Sequence, residues 1–88
     1  MDKNFRLNIV SLEKTIYEGF ICSLIVPAEL GYLGVLANHA PLVTMLTPGK
    51  ITLREKPDSQ KVFHCKAGGF LEVLKNTATV LVDSISEA

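Results

Sequence analysis

The residues of this chain best equipped for chemistry are two histidines and two cysteines. An imidazole titrates near neutral pH and can act as a base or metal ligand, and a thiolate is a nucleophile or soft ligand. Their spacing supports neither role. His39 follows Asn38 and precedes Ala40-Pro41 in a turn-like context, while His64 sits between Phe63 and Cys65 in an alternating run. No carboxylate or second histidine stands at ligand spacing from either. Cys22 and Cys65 each lie inside an apolar strand-like stretch, so two buried free thiols are expected. Ser11, Ser23, Ser59, Ser84 and Ser86 lack the Gly-x-Ser-x-Gly elbow that exposes a nucleophile. Gly31-Tyr32-Leu33-Gly34 is too short for a phosphate loop and is followed by no helix. The sequence therefore points to binding, with no cofactor and no metal. Two rivals stand beside that reading. One is a small metal-dependent β-sandwich or cupin-like enzyme using His39, His64 and Cys65; the weaker one is a small-ligand carrier with a cavity between its sheets.

Composition narrows the classes further. The 88 residues make one domain, and 48% of them are apolar, too many for a disordered chain. Nine Lys and Arg balance nine Asp and Glu with no block of like charge, which argues against nucleic acid as a partner. Met1 is followed by Asp2-Lys3-Asn4, without the apolar stretch of a signal peptide. Apolar runs are only a few residues long, far short of the ~20 that span a bilayer. The expectation is a chain that does not insert into membranes itself.

The elements read as short strands. Phe5, Leu7 and Ile9 alternate with polar residues, Thr15 to Glu18 forms a second strand ending at Gly19, and Phe20 to Val26 forms a third, closed by Pro27. Gly31 to Val43 reads as strand, exposed corner and strand, because two glycines, Asn38 and Pro41 interrupt its apolar run. Tyr32, Leu33, Val35 and Leu36 put unusual apolar surface near that corner, to be covered by a partner or folded under as part of the core. The inward face of Leu42 to Leu46 is left open by its pattern. Thr47-Pro48-Gly49-Lys50 has the residues of a type II turn leading into Ile51 to Arg54. Lys56 to Gln60 reads as an exposed loop, Lys61 to Ala67 as a strand with Phe63 and Cys65 on one face, and Gly68-Gly69 as a bend. Lys75-Asn76 forms a hairpin turn into Thr77 to Asp83, whose apolar centre implies burial on both faces. This is an all-β fold, a two-sheet sandwich or barrel of about eight to ten short, mostly antiparallel strands. Its expected core includes Leu7, Ile9, Leu24, Val26, Ile51, Leu53, Phe63, Leu71, Val73 and Val80, and truncating one of these to alanine should cost roughly 2–5 kcal/mol.

Four blocks in order carry a resemblance: Gly31-Tyr32-Leu33-Gly34, His39-Ala40-Pro41-Leu42, Thr47-Pro48-Gly49, and Gly68-Gly69-Phe70-Leu71-Glu72-Val73. Their order and spacing resemble the N-terminal β-sandwich of the epsilon subunit of the F-type ATP synthase. Val80-Leu81-Val82-Asp83 is similar to that family's last strand, so the likeness runs from about Phe5 to Ser84.

The resemblance implies a subunit without a catalytic site, lodged in the central stalk of the proton-translocating enzyme. It implies contact with the gamma subunit at Ser11, His39 and Thr44, and with the ring of c subunits at Glu29, Leu30, Gly31 and Tyr32. The rest of the catalytic head completes the assembly. The implied location is peripheral, on the cytoplasmic face of the bacterial inner membrane. Where the family commonly has an acidic residue facing the ring, this chain has Tyr32, so Glu29 is expected to supply the charge. Asn38 stands where glycine is usual. Full-length relatives continue into two antiparallel helices that brake hydrolysis; this sequence stops at Ile85-Ser86-Glu87-Ala88, and no inhibitory arm is expected.

Overall fold

Period-two alternation writes most of the architecture. In the computed structural model, which describes residues 3–87, strand β1 (Phe5–Val10) buries Phe5, Leu7 and Ile9 and turns Arg6, Asn8 and Val10 outward. Strand β2 (Thr15–Ile21) returns antiparallel to it. The run from Phe20 to Val26 is not one strand. Ile21 closes β2, and Ser23 opens β3 (Ser23–Ala28) on the far side of the core. The step is made at Cys22, whose amide donates to the Arg54 carbonyl at 2.7 Å. Cys22 is consequently half-buried at a bend, whereas Cys65 is buried; both are free thiols. An apolar run looks the same whether the chain stays in its sheet or changes sheets, which is why the pattern misled.

The remaining strands are β4 (Gly31–Val35), β5 (Leu42–Leu46), β6 (Gly49–Lys56), β7 (Ser59–Cys65), β8 (Gly69–Leu74), β9 (Thr77–Val82) and β10 (Ile85–Glu87). They form one hydrogen-bonded sheet in the order β10-β7-β6-β3-β5-β8-β9-β1-β2, with β4 added on β3. The sheet folds over itself into a sandwich. One layer holds β4, β3, β6, β7 and β10; the other holds β5, β8, β9, β1 and β2. The layers are continuous at a single register pair, Ala28 with Leu46, supported by the Thr47 amide donating to the Pro27 carbonyl at 2.8 Å. β1 lies parallel to β9, and the other pairings are antiparallel.

The core lies between the layers. All ten residues expected there are buried, joined by Phe5, Tyr17, Ile21, Val35, Leu46, Cys65, Ala78 and Val82. The Tyr17 and Phe63 rings meet edge-on across the layers, with centroids 6.4 Å apart. The Tyr17 hydroxyl donates to the Glu55 carboxylate at 2.5 Å, beside an irregularity in the β6–β7 register. Burial, then the Glu55 carboxylate beside it, raise the Tyr17 phenol above its ordinary range.

Three local expectations change. Thr47 to Lys50 is not a type II turn between paired strands: β5 pairs with β8 and β3, and Gly49 already belongs to β6. Glycine is needed there for space, since a Cβ would come within 2.8 Å of the Pro27 side chain. Lys56 to Gln60 narrows to a turn at Pro57-Asp58, with Lys56 already paired to Ser59. Thr77 to Val82 alternates, with Ala78, Val80 and Val82 inward and Leu81 half exposed outside. β10, which pairs with β7, was not anticipated at all. The bend at Gly68 is as expected: its φ of 84° favours glycine, and a Cβ would lie 2.6 Å from the Leu46 carbonyl oxygen.

Candidate interaction site

The outer face of the second layer is where apolar side chains that the core cannot use collect. Register places Met45 of β5 beside Phe70 of β8, Phe70 beside Leu81 of β9, and Leu81 beside Val10 of β1. These four form a row across four strands, pointing away from the core. Met45, Phe70 and Leu81 are each about half exposed, at 49%, 52% and 50%. Leu12 continues the row at 90% exposure, and Val43 extends the face along β5 at 71%. A shallow cleft of about 430 Å³ opens among Val10, Ser11, Leu12, Phe70 and Leu81. Apolar area gathered this way on a flat sheet is favourable to cover and costly to leave wet.

Around this row the face turns polar. Arg6 pairs with Glu18 at 2.9 Å and lies over the Phe20 ring, its guanidinium carbon 5.8 Å from the centroid. Glu72 and Thr79 occupy the neighbouring register positions. An apolar centre with a charged rim is the usual anatomy of a protein–protein contact.

The candidate residues fall in three places. Ser11 borders the cleft at one end of this face, where its hydroxyl bonds the Lys14 backbone within the β1–β2 turn. His39 lies at the opposite end, in the corner between β4 and β5. Its amide donates to the Leu36 carbonyl, and Asn38 before it has the positive φ of 64° that the turn demands. Its Nδ1 donates to the Ala40 carbonyl at 2.7 Å. Thr44 is on the other side of β5, half-buried, and lines a second cleft of about 300 Å³ with Ala28 to Leu33 and Leu42. Thr44 thus joins the Glu29 to Tyr32 group and not Ser11.

That second group is the tip of the β3–β4 hairpin. Ala28 pairs with Gly31, so Glu29 and Leu30 form a two-residue turn, and Gly31 takes a φ of 124°. Leu30 stands wholly in solvent. Tyr32 is 63% exposed yet anchored, its hydroxyl accepting from the Lys50 amide at 3.3 Å. Tyr32, Leu36, Leu33 and Val35 divide the two readings of the corner: Val35 is buried and Leu33 packs on the core, while Tyr32 and Leu36 are exposed.

The geometry separates the residues of the enzyme reading. His64 is exposed on the outside of the first layer beside Lys50, Cys65 points into the core, and His39 is at the corner. No three His, Cys, Asp or Glu side chains converge among the described residues. The outer row itself escaped sequence reasoning. Its members are 25 or more residues from one another except for Phe70 and Leu81, and only strand register aligns them.

Comparison with known proteins converges on one family. Residues 4–88 match the family described as ATP synthase, Delta/Epsilon chain, beta-sandwich domain. An ATP synthase epsilon chain from Nitrosococcus oceani is 39% identical over 88 residues, covering all of this chain and 62% of that protein. One from Dichelobacter nodosus is 34% identical, with 61% of it covered. The chain therefore spans about three-fifths of the length of these curated relatives. Among solved structures, a chain of the Euglena gracilis mitochondrial ATP synthase (OSCP/F1/c-ring) superposes with a TM-score of 0.90 at 18% identity, over 99% of this chain and 55% of that one. A chain from the Tetrahymena thermophila mitochondrial ATP synthase central stalk and c-ring does so with a TM-score of 0.75 at 17% identity, over 92% and 64%. The family match over residues 4–88 and these relatives agree, and this chain belongs to the family of ATP synthase delta/epsilon chain β-sandwich domains.

Proposed function

We propose that this chain is a central-stalk subunit of the proton-translocating ATP synthase, coupling rotation of the c ring to ATP synthesis by gripping two partners. The gamma subunit covers the outer apolar face of the second layer, with Ser11 and His39 at its two ends. The c ring meets the hairpin tip, where Glu29 supplies charge and Leu30, Gly31 and Tyr32 supply the contact. Thr44 sits at the open edge of β5 between both surfaces, and the gamma subunit reaches it by wrapping round that edge. The chain contributes no catalytic group; its role is to be stiff and to be held, which a close-packed interior provides. It works at the cytoplasmic face of a bacterial membrane, as part of the whole complex.

The observation that carries this reading is the row Val10–Leu81–Phe70–Met45, an exposed apolar stripe on a domain of this family. The test is reconstitution with the gamma subunit and the catalytic head. The chain should co-purify with them, and leaving it out should remove proton-coupled ATP synthesis. Synthesis that proceeds unchanged without the chain, or no co-purification, overturns the proposal.

A further inference from the structure

The corner that presents His39 is held by its own bonds and also by a residue from another hairpin. Asn76 lies in the turn between β8 and β9, with a φ of 59°. Its side-chain Oδ1 accepts from the Asn38 amide at 2.7 Å, and its Nδ2 donates to the Asn4 carbonyl at 3.1 Å. Its backbone carbonyl accepts from the Arg6 amide at 3.2 Å. One residue therefore ties three separate segments together: the β8–β9 turn, the approach to β1, and the corner. Asn38 is the residue immediately before His39, and its own positive φ sets the direction in which the corner leaves the sheet.

The chemistry required at this position is narrow. The turn needs a residue that tolerates the left-handed region, the Asn38 amide needs an acceptor, and the Asn4 carbonyl needs a donor. Glycine meets only the first need, and aspartate the first two. Asparagine meets all three with one short planar amide. Exposed turns do not otherwise demand such a combination.

We propose that Asn76 is a positioning residue for partner binding: it fixes the Leu36–Leu42 corner so that His39 faces the gamma subunit. This rests on the gamma-binding reading above. It adds a residue that touches no partner itself and acts through Asn38.

The experiment compares the full chain with Asn76→Gly, Asn76→Asp and Phe70→Asp, measuring amide exchange at Asn38 by NMR and affinity for the gamma subunit. Asn76→Gly should speed Asn38 exchange and weaken binding by about 5–10-fold, the scale of one lost hydrogen bond. Asn76→Asp retains the acceptor for the Asn38 amide while losing the donor to Asn4, and should exchange more slowly at Asn38 and bind more tightly than Asn76→Gly, a rescue that general loosening of the turn would not give. Phe70→Asp should abolish binding while leaving Asn38 exchange untouched. Faster Asn38 exchange in Asn76→Gly with parental binding overturns the proposal, and so does unaltered exchange. Failure of aspartate to rescue overturns the part given to the acceptor oxygen. Should Asn76→Gly not fold, Asn76→Asp binding as weakly as a corner variant, His39→Glu, overturns it instead. Parental binding by Phe70→Asp brings down the gamma reading itself, and is distinguishable from all of these.

Discussion

The two outer faces of the sandwich have the same strand geometry and opposite chemistry. On the second layer, Val10, Met45, Phe70 and Leu81 align across four strands. On the first layer the corresponding positions hold Lys50 beside His64, Arg54 beside Gln60, and Thr52 beside Val62, with Ile25 the one large exposed aliphatic among them. Arg54 is turned back to bond the Pro57 carbonyl at 3.1 Å. Both layers bury a full inner face, so neither needs its outer face for stability. The difference sets an apolar surface suited to a partner against a polar one suited to solvent.

The largest effect that could break this contrast comes from matched charges. Leu81→Asp should lower affinity for the gamma subunit by 100-fold or more, because a carboxylate would be buried unpaired in an apolar contact. Ile25→Asp, at similar exposure on the other face, should bind within about twofold of the parent. Equal losses, read by titration calorimetry, would erase the distinction between the faces. A smaller effect tests the local support of the row. Gly68→Ala should destabilise the fold by roughly 1–3 kcal/mol in urea denaturation, since its φ disfavours a side chain and its Cβ would strike the Leu46 carbonyl. It should also displace the start of β8 and weaken gamma binding modestly.

The smallest effect concerns the seam between the layers. Tyr17 is held neutral by burial and by Glu55, so its phenol titrates higher folded than unfolded. Its contribution is then complete below the unfolded value of about 10 and is lost as pH rises beyond it. Tyr17→Phe should cost about 1 kcal/mol at pH 7. It should also flatten the decline in stability above pH 10, as followed by thermal melts across pH. An unchanged decline would show that other groups govern alkaline unfolding.

What the sequence disclosed was whatever repeats over two residues or occupies two adjacent ones. Phe5, Leu7 and Ile9 announce their inward face, and Lys75-Asn76 its turn, where both residues take positive φ. Leu42 to Leu46 was opaque because apolar residues on both parities serve different surfaces: Leu46 the core, Val43 and Met45 the outer face. Leu81 was expected inside for the same reason, and it belongs to the row. The change of sheets at Cys22, the Asn76 clasp and the alignment of Ser11 with the cleft depend on pairings between distant segments. No local pattern encodes those.

The parallel pairing of β1 with β9 has a consequence for how the molecule is born. As the chain leaves the ribosome, its first strand emerges long before the strand that will flank it, and at ~5–20 residues per second the wait lasts several seconds. Until then β1 and β2 form a two-stranded ribbon, marginal by itself in water, with Leu7 and Ile9 uncovered. Closure of the second layer joins residues far apart in the sequence, contacts of high contact order that favour slow formation.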